Sequence, residues 1–177
     1  MGGRLPTLTL AAVFLCSLFA GLAPPTAAHA VEAPESEHEH VVISEFLVSS
    51  SSEDYNGTDW NGDGYFGSAS DQFIELYNPT PYEANISGWW LDDDPDGGSP
   101  RCQIGWGTLL QPGERMAFYQ AKTGIDLSYW DGDVIRLEDY WGDLVDTASF
   151  PAEHSWWDNS YGRADNGSWV RIGSPTP

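Results

Sequence analysis

The sequence predicts an all-β chain folded as an antiparallel sandwich. Three observations carry this. The apolar runs between residues 41 and 172 are short and rich in Val, Ile, Phe, Tyr and Trp, which fit a pleated, half-buried surface. Turn-forming Gly, Pro, Asn and Asp separate them. No stretch of that region repeats its apolar residues at helical spacing.

Seven or eight strands follow in order. Residues 41–48 open the domain with Val41-Val42-Ile43 and Phe46-Leu47-Val48 around Ser44-Glu45. Residues 72–78 alternate Phe73, Glu75 and Tyr77 against Ile74 and Leu76, the period of two that sets one strand face to the core. Further strands are expected at 84–91, 101–109, 114–120, 133–138 and 144–150, and residues 169–172 close the chain. The intervening Asn78-Pro79, Pro95-Asp96-Gly97-Gly98, Gln111-Pro112-Gly113, Asp131-Gly132 and Trp141-Gly142-Asp143 supply the fixed or positive backbone angles that turns need.

Ahead of these strands the composition changes. Arg4, the apolar run from Leu8 to Ala20, Pro24-Pro25 and Ala28-His29-Ala30 form a signal-peptide pattern over residues 1–30, with cleavage expected near Ala30. The apolar run is shorter than the roughly 20 residues a spanning helix requires. Residues 31–40, carrying Glu32, Glu35, Glu37, Glu39, His38 and His40, read as an acidic tether, because two histidines at i, i+2 make a poor metal site without convergent ligands. The folded domain is expected over residues 41–177, and the chain is expected to be secreted. Cys102 is the only cysteine beyond the leader. In a strand it shares a face with Ile104 and Trp106, which predicts a buried thiol; pairing between chains is the alternative.

Charge excludes one class of partner. The chain carries 27 acidic residues against 7 basic ones, a net charge of −20. Such a surface repels nucleic acid and anionic lipid and attracts cations. The most specific acidic motif is Asp59-Trp60-Asn61-Gly62-Asp63-Gly64. Calcium takes six to eight hard oxygen ligands, and side chains at loop positions 1, 3 and 5 wrap one side of the ion. Here these are Asp59, Asn61 and Asp63; Gly64 permits the sharp turn, and the carbonyl of Tyr65 at position 7 faces the metal. Position 12 holds Ser70 in place of the usual carboxylate, and Asp71 follows it. The expected site is Ca2+ on Asp59, Asn61, Asp63, the Tyr65 carbonyl and Asp71, with Glu75 or Glu45 a further ligand. The competing reading is a plain Asn/Asp/Gly turn. Asp92-Asp93-Asp94-Pro95-Asp96 lacks alternate spacing and reads as a solvated loop.

No conventional catalytic set is present. There is no nucleophile elbow, phosphate loop or zinc spacing, and His154 is the only histidine in the domain, so no enzymatic activity is expected. Nine tryptophans exceed what one core readily uses. Trp60, Trp130, Trp141, Trp156 and Trp157 fall in or beside loops, where rings next to carboxylates suit sugar stacking, or pack as satellite clusters.

Several blocks together resemble the lamin-tail domain family in its secreted bacterial form. They are Ile43-Ser44-Glu45-Phe46, Phe73-Ile74-Glu75-Leu76-Tyr77-Asn78, Ile86-Ser87-Gly88-Trp89-Trp90-Leu91, Leu110-Gln111-Pro112-Gly113-Glu114, Gly132-Asp133-Val134-Ile135-Arg136-Leu137, Gly142-Asp143-Leu144-Val145-Asp146, Gly167-Ser168-Trp169 and Pro175-Thr176-Pro177. The resemblance spans residues 41–177. It implies an immunoglobulin-like sandwich used as a binding or structural module without a catalytic centre. It also implies structural roles for Trp89 and Trp169 and places Glu45 beside Glu75 on paired strands, as a structural pair, a completion of the calcium shell or an acid and base. Asp-x-Asn-x-Asp-Gly insertions before Asp-x-Phe-Ile-Glu-Leu occur in bacterial members. The expected function is a calcium-binding module for extracellular attachment or scaffolding, its partner a protein or glycan. The alternatives are a carbohydrate-binding module and a hydrolase using the paired carboxylates.

Overall fold

A computed structural model describes residues 39–51, 54, 56–95, 97–152 and 157–177. The signal-peptide pattern, most of the acidic tether, His154 and Trp156 lie outside these residues.

Eleven strands and one four-residue helix are described: β1 Val42–Leu47, β2 Phe73–Tyr77, β3 Ala84–Asn85, β4 Trp90–Asp92, β5 Cys102–Gln103, β6 Leu109–Leu110, β7 Arg115–Tyr119, α1 Gln120–Thr123, β8 Gly132–Glu138, β9 Leu144–Pro151, β10 Ser160–Arg163 and β11 Trp169–Ile172. One sheet runs β11-β10-β1-β2-β7, a second β5-β4-β8-β9, and β3 pairs with β6. Every pairing is antiparallel. The all-β antiparallel expectation holds.

Burial explains the layering. Ile43 and Phe46 of β1 and Ile74 and Leu76 of β2 meet Leu91 of β4, Ile135 and Leu137 of β8 and Phe150 of β9 in one apolar core. Phe46 sits at its centre, with Phe150, Tyr161 and Trp169 at ring-centroid distances of 5.3, 5.2 and 4.9 Å. Arg163 on β10 bonds Asp146 on β9 at 2.5 Å and the Ile43 carbonyl at 2.8 Å, while Asp146 accepts the Ile43 amide at 2.8 Å. This charged clasp joins edge strand β9 of the smaller sheet to the interior strands β1 and β10 of the larger one, and its groups have the paired, hydrogen-bonded surroundings that shielded charge requires.

Three expectations change. The strand foreseen at 84–91 is broken into β3 and β4 by the Ser87-Gly88-Trp89 turn, where Gly88 adopts φ +75. The strand foreseen at 101–109 is likewise broken, by Gly105-Trp106-Gly107, so Trp106 does not share a buried face with Ile104: Ile104 is 3% exposed and Trp106 76%. Cys102 is half-buried against the core, and removal from water pushes its thiol pKa up. Finally, β10 was not foreseen. Its Ser160-Tyr161-Gly162-Arg163 has only one large apolar residue, yet it pairs with β1 and β11.

Candidate metal centre

The loop between β1 and β2 lies over the outward face of the larger sheet. Phe73, Glu75 and Tyr77 point that way from β2, opposite the core-facing Ile74 and Leu76. Trp60 covers Phe73 at 6.5 Å, and Tyr119 closes the other side of that ring at 6.0 Å. The Trp60 indole donates to Asp158 at 3.0 Å, and Asp158 also accepts the Ser51 amide at 3.1 Å. Trp60 therefore docks the loop, and is occupied structurally.

Within the loop the oxygen side chains bond successive backbone amides. Asp59 accepts from Asp63 and Gly64 at 3.1 and 2.7 Å; Asn61 Oδ1 accepts from Asp63 at 2.9 Å; Asp63 accepts from Tyr65 at 2.8 Å. Gly62 and Gly64 take φ +69 and +85, conformations that a side chain would strain. Asp71, fully buried, closes the loop by accepting from Asn61 at 3.2 Å and Gly67 at 2.9 Å. Ser50 ties it to the end of β1 through Gly67 and Ser68. Ser70 Oγ is shut away from solvent without a hydrogen-bond partner among the described residues.

Asp59, Asn61, Asp63, Tyr65 and Asp71 thus belong to one hydrogen-bonded loop. Glu75 is not joined to it. Its Oε1 accepts the Ser44 hydroxyl and, at 2.8 Å, the Arg115 guanidinium, which also lies over the Tyr77 ring. Phe73 separates Glu75 from the loop along the strand. Glu45 stands opposite Glu75 in the β1–β2 register, but its carboxylate turns to the C-terminal segment, accepting from Ser160 at 2.5 Å and from the Thr176 amide and hydroxyl at 3.0 and 2.7 Å. Adjacent in register, the two acids have separate structural partners.

The donor set suits a hard cation in kind. It offers carboxylate, amide and carbonyl oxygens, and a carboxylate oxygen bonded to one N–H retains a further lone pair. Among the described residues no three His, Cys, Asp or Glu side chains converge as a metal cage, so an ion here would draw on Asn61 and the Tyr65 carbonyl as well as on the acids.

The other acidic stretch is less solvated than expected. Asp92 and Asp93 are buried at 7% and 1% exposure, and Asp93 accepts the Ser99 amide with both oxygens at 2.9 Å. Desolvation, reinforced by the charges of Asp93 and Glu138, raises the pKa of Asp92 against the opposing Asp93 amide and Arg136. Burial also raises that of Asp133, which the Ser128 and Val134 amides counter.

Trp89 and Trp169 pack against the core, as expected. Of the loop tryptophans, Trp130 and Trp157 flank Tyr129 at 4.7 and 5.7 Å as a satellite cluster. Trp141, one of the rings expected in a loop, is 82% exposed and lines a groove with Trp106 and Tyr140, two rings the sequence did not point to. The available signal was the pair of glycines around Trp106, which favours a turn over a strand.

Two antiparallel sheets around one core, with a polar loop docked on the larger sheet, define an immunoglobulin-like sandwich. The chain matches the Lamin Tail Domain family over residues 34–152, more than half its length, and belongs to that family. The match ends before β10 and β11, which nevertheless complete the larger sheet. Comparison with curated proteins gives no match. Membership makes the chain a protein-interaction or scaffolding module. Among the described residues no helix is long and apolar enough to cross a membrane.

Proposed function

We propose that this lamin-tail module works outside the cell in attachment or scaffolding, with the 59–71 loop holding one calcium ion. The observation that supports the calcium reading is the order of the loop oxygens. Asp59, Asn61 and Asp63 occupy alternate positions and turn inward onto the loop's own amides, with buried Asp71 as the closing carboxylate. The ligands are Asp59, Asn61, Asp63, the Tyr65 carbonyl and Asp71. Glu75 is left out because Arg115 neutralises it. Secretion rests on the signal pattern at residues 1–30, and the strongly acidic surface suits a protein that meets cations.

On binding, the ion draws Asp59, Asp63 and Asp71 together and offsets the repulsion that approach entails. Calcium added to the metal-free protein raises the melting temperature, because a ligand held by the native state alone stabilises it. Magnesium substitutes poorly, since it demands a tighter octahedron and keeps its waters. Asp63→Ala abolishes the shift and Asp94→Ala leaves it intact. Titration calorimetry that detects no calcium binding at about millimolar concentration, the weak end for extracellular modules, would reduce the motif to a turn.

A further inference from the structure

Three turns on different strand pairs meet at an aromatic groove. The end of β3 supplies Asn85, the β3–β4 turn Ser87 and Trp89, the β5–β6 turn Trp106, and the β8–β9 hairpin Tyr140 and Trp141; together they border about 450 Å³. The rings are held in place. A Cβ on Gly88 would come within 2.9 Å of the Tyr140 ring, so the absence of a side chain lets that ring lie on the turn. Trp106 and Trp141 tilt against Tyr140 at 5.9 and 5.7 Å, with interplanar angles of 59° and 88°. Ser87 Oγ accepts the Gly107 amide at 2.9 Å, linking two of the turns, and Asp139 accepts the Trp141 and Asp143 amides at 2.9 Å each, which shapes the hairpin tip. Trp106 and Trp141 remain 76% and 82% exposed.

The chemistry of the lining selects a ligand. None of its six residues carries a formal charge at neutral pH, although the chain has a net charge of −20. A polyanion is repelled by the whole molecule, a second copy likewise, and a cation finds no acid in the lining. Among the described residues nothing bonds the Asn85 side-chain amide N–H groups, the Tyr140 hydroxyl, or the indole N–H of Trp106 or Trp141. The groove therefore combines exposed apolar rings with unused polar groups able both to donate and to accept. We infer that it binds a neutral oligosaccharide, whose pyranose C–H faces stack on Trp106 and Trp141 while Asn85 and Ser87 bond the hydroxyls. A proline-rich peptide would stack on the same rings and its carbonyls would meet the N–H and O–H donors, but with few donors of its own it leaves the remaining lone pairs of Asn85, Ser87 and Tyr140 unused, whereas each sugar hydroxyl both donates and accepts.

This site is built from turns other than the 59–71 loop, so it stands or falls independently of calcium. The test is tryptophan fluorescence and affinity electrophoresis of the full domain with cellohexaose and mannohexaose, beside an oligogalacturonate and a proline-rich decapeptide. At least one neutral hexasaccharide shifts the emission and retards migration, the same with calcium or with chelator. Trp106→Ala and Trp141→Ala each weaken that binding by about tenfold, the worth of one well-stacked ring. Trp130→Ala, an exposed ring outside the groove, leaves it unchanged. Circular dichroism checks that the variants remain folded. The proposal is overturned if neither neutral sugar binds, if the acidic sugar or the peptide binds in their place, or if Trp130→Ala costs as much as the groove variants.

Discussion

Asp92 illustrates how a single carboxylate is set by its surroundings. It lies on β4 next to the core and accepts one amide, from Asp93 at 3.1 Å. Desolvation lifts its pKa, and the charges of Asp93 and Glu138 add to the rise. The native state therefore binds this proton more tightly than the unfolded chain does. Ionisation costs native stability, fully so above the folded-state pKa, and the cost fades as pH falls through that value towards the ordinary carboxylate range. Asp92→Asn has no charge to desolvate. It raises the melting temperature at neutral pH, and the gain shrinks on acidification; an equal gain across the whole range in thermal scans would contradict the assignment. Phe46 shows the opposite kind of residue, wholly apolar and wholly buried, whose three aromatic neighbours belong to three other strands.

At the level of elements, the 59–71 loop is tied to the end of β1 by Ser50 and held at two further points. Trp60 anchors it to Phe73 and Asp158, and Asp71 staples its ends by two amide bonds. Hydrogen bonds to a charged acceptor contribute about 1.5–3 kcal/mol each. In the metal-free protein Asp71→Ala leaves the Asn61 and Gly67 amides without their acceptor. Hydrogen exchange over residues 61–67 should then speed up by at least about a hundredfold, as expected if local protection falls by about 3 kcal/mol, while the amides of β8 keep theirs. Unchanged exchange in the loop would show that the staple is redundant. The alternating pattern of β2 was legible in the sequence, because Ile74 and Leu76 must face the core. So was the order of Asp59, Asn61 and Asp63, because their spacing is local. What could not be read was set by distant partners: Glu75 is claimed by Arg115 on β7, and Glu45 by Thr176. Strand β10 was hidden for the same reason. Its backbone is held by neighbours on both sides, so its own side chains need little strand propensity.

Across the described part of the molecule most of the positive charge is neutralised by ion pairs. Arg101, Arg115, Arg136 and Arg163 all pair with acids, which leaves an acidic exterior. The C-terminal segment is secured through Glu45, itself only 3% exposed. Removing Thr176 and Pro177 leaves that buried carboxylate with Ser160 on β10 as its hydrogen-bond donor among the described residues and costs about 2–4 kcal/mol. The loss appears as a lower urea midpoint and shrinks when Glu45→Gln is already present, since the two changes share one interaction. Additive losses would show that the segment acts elsewhere.

The central position of β1 has a temporal consequence. Its partner β10 lies more than a hundred residues further along the chain, and Glu45 meets Ser160 and Thr176 across separations of 115 and 131 residues. Loop closure over such distances precedes any gain from the contacts it permits, which slows folding. A chain emerging from the ribosome, or threading through a pore, can form the β8–β9 hairpin early. It cannot flank β1 on both sides until β10 has emerged, so the first strand of the domain waits on one of its last before the larger sheet is complete.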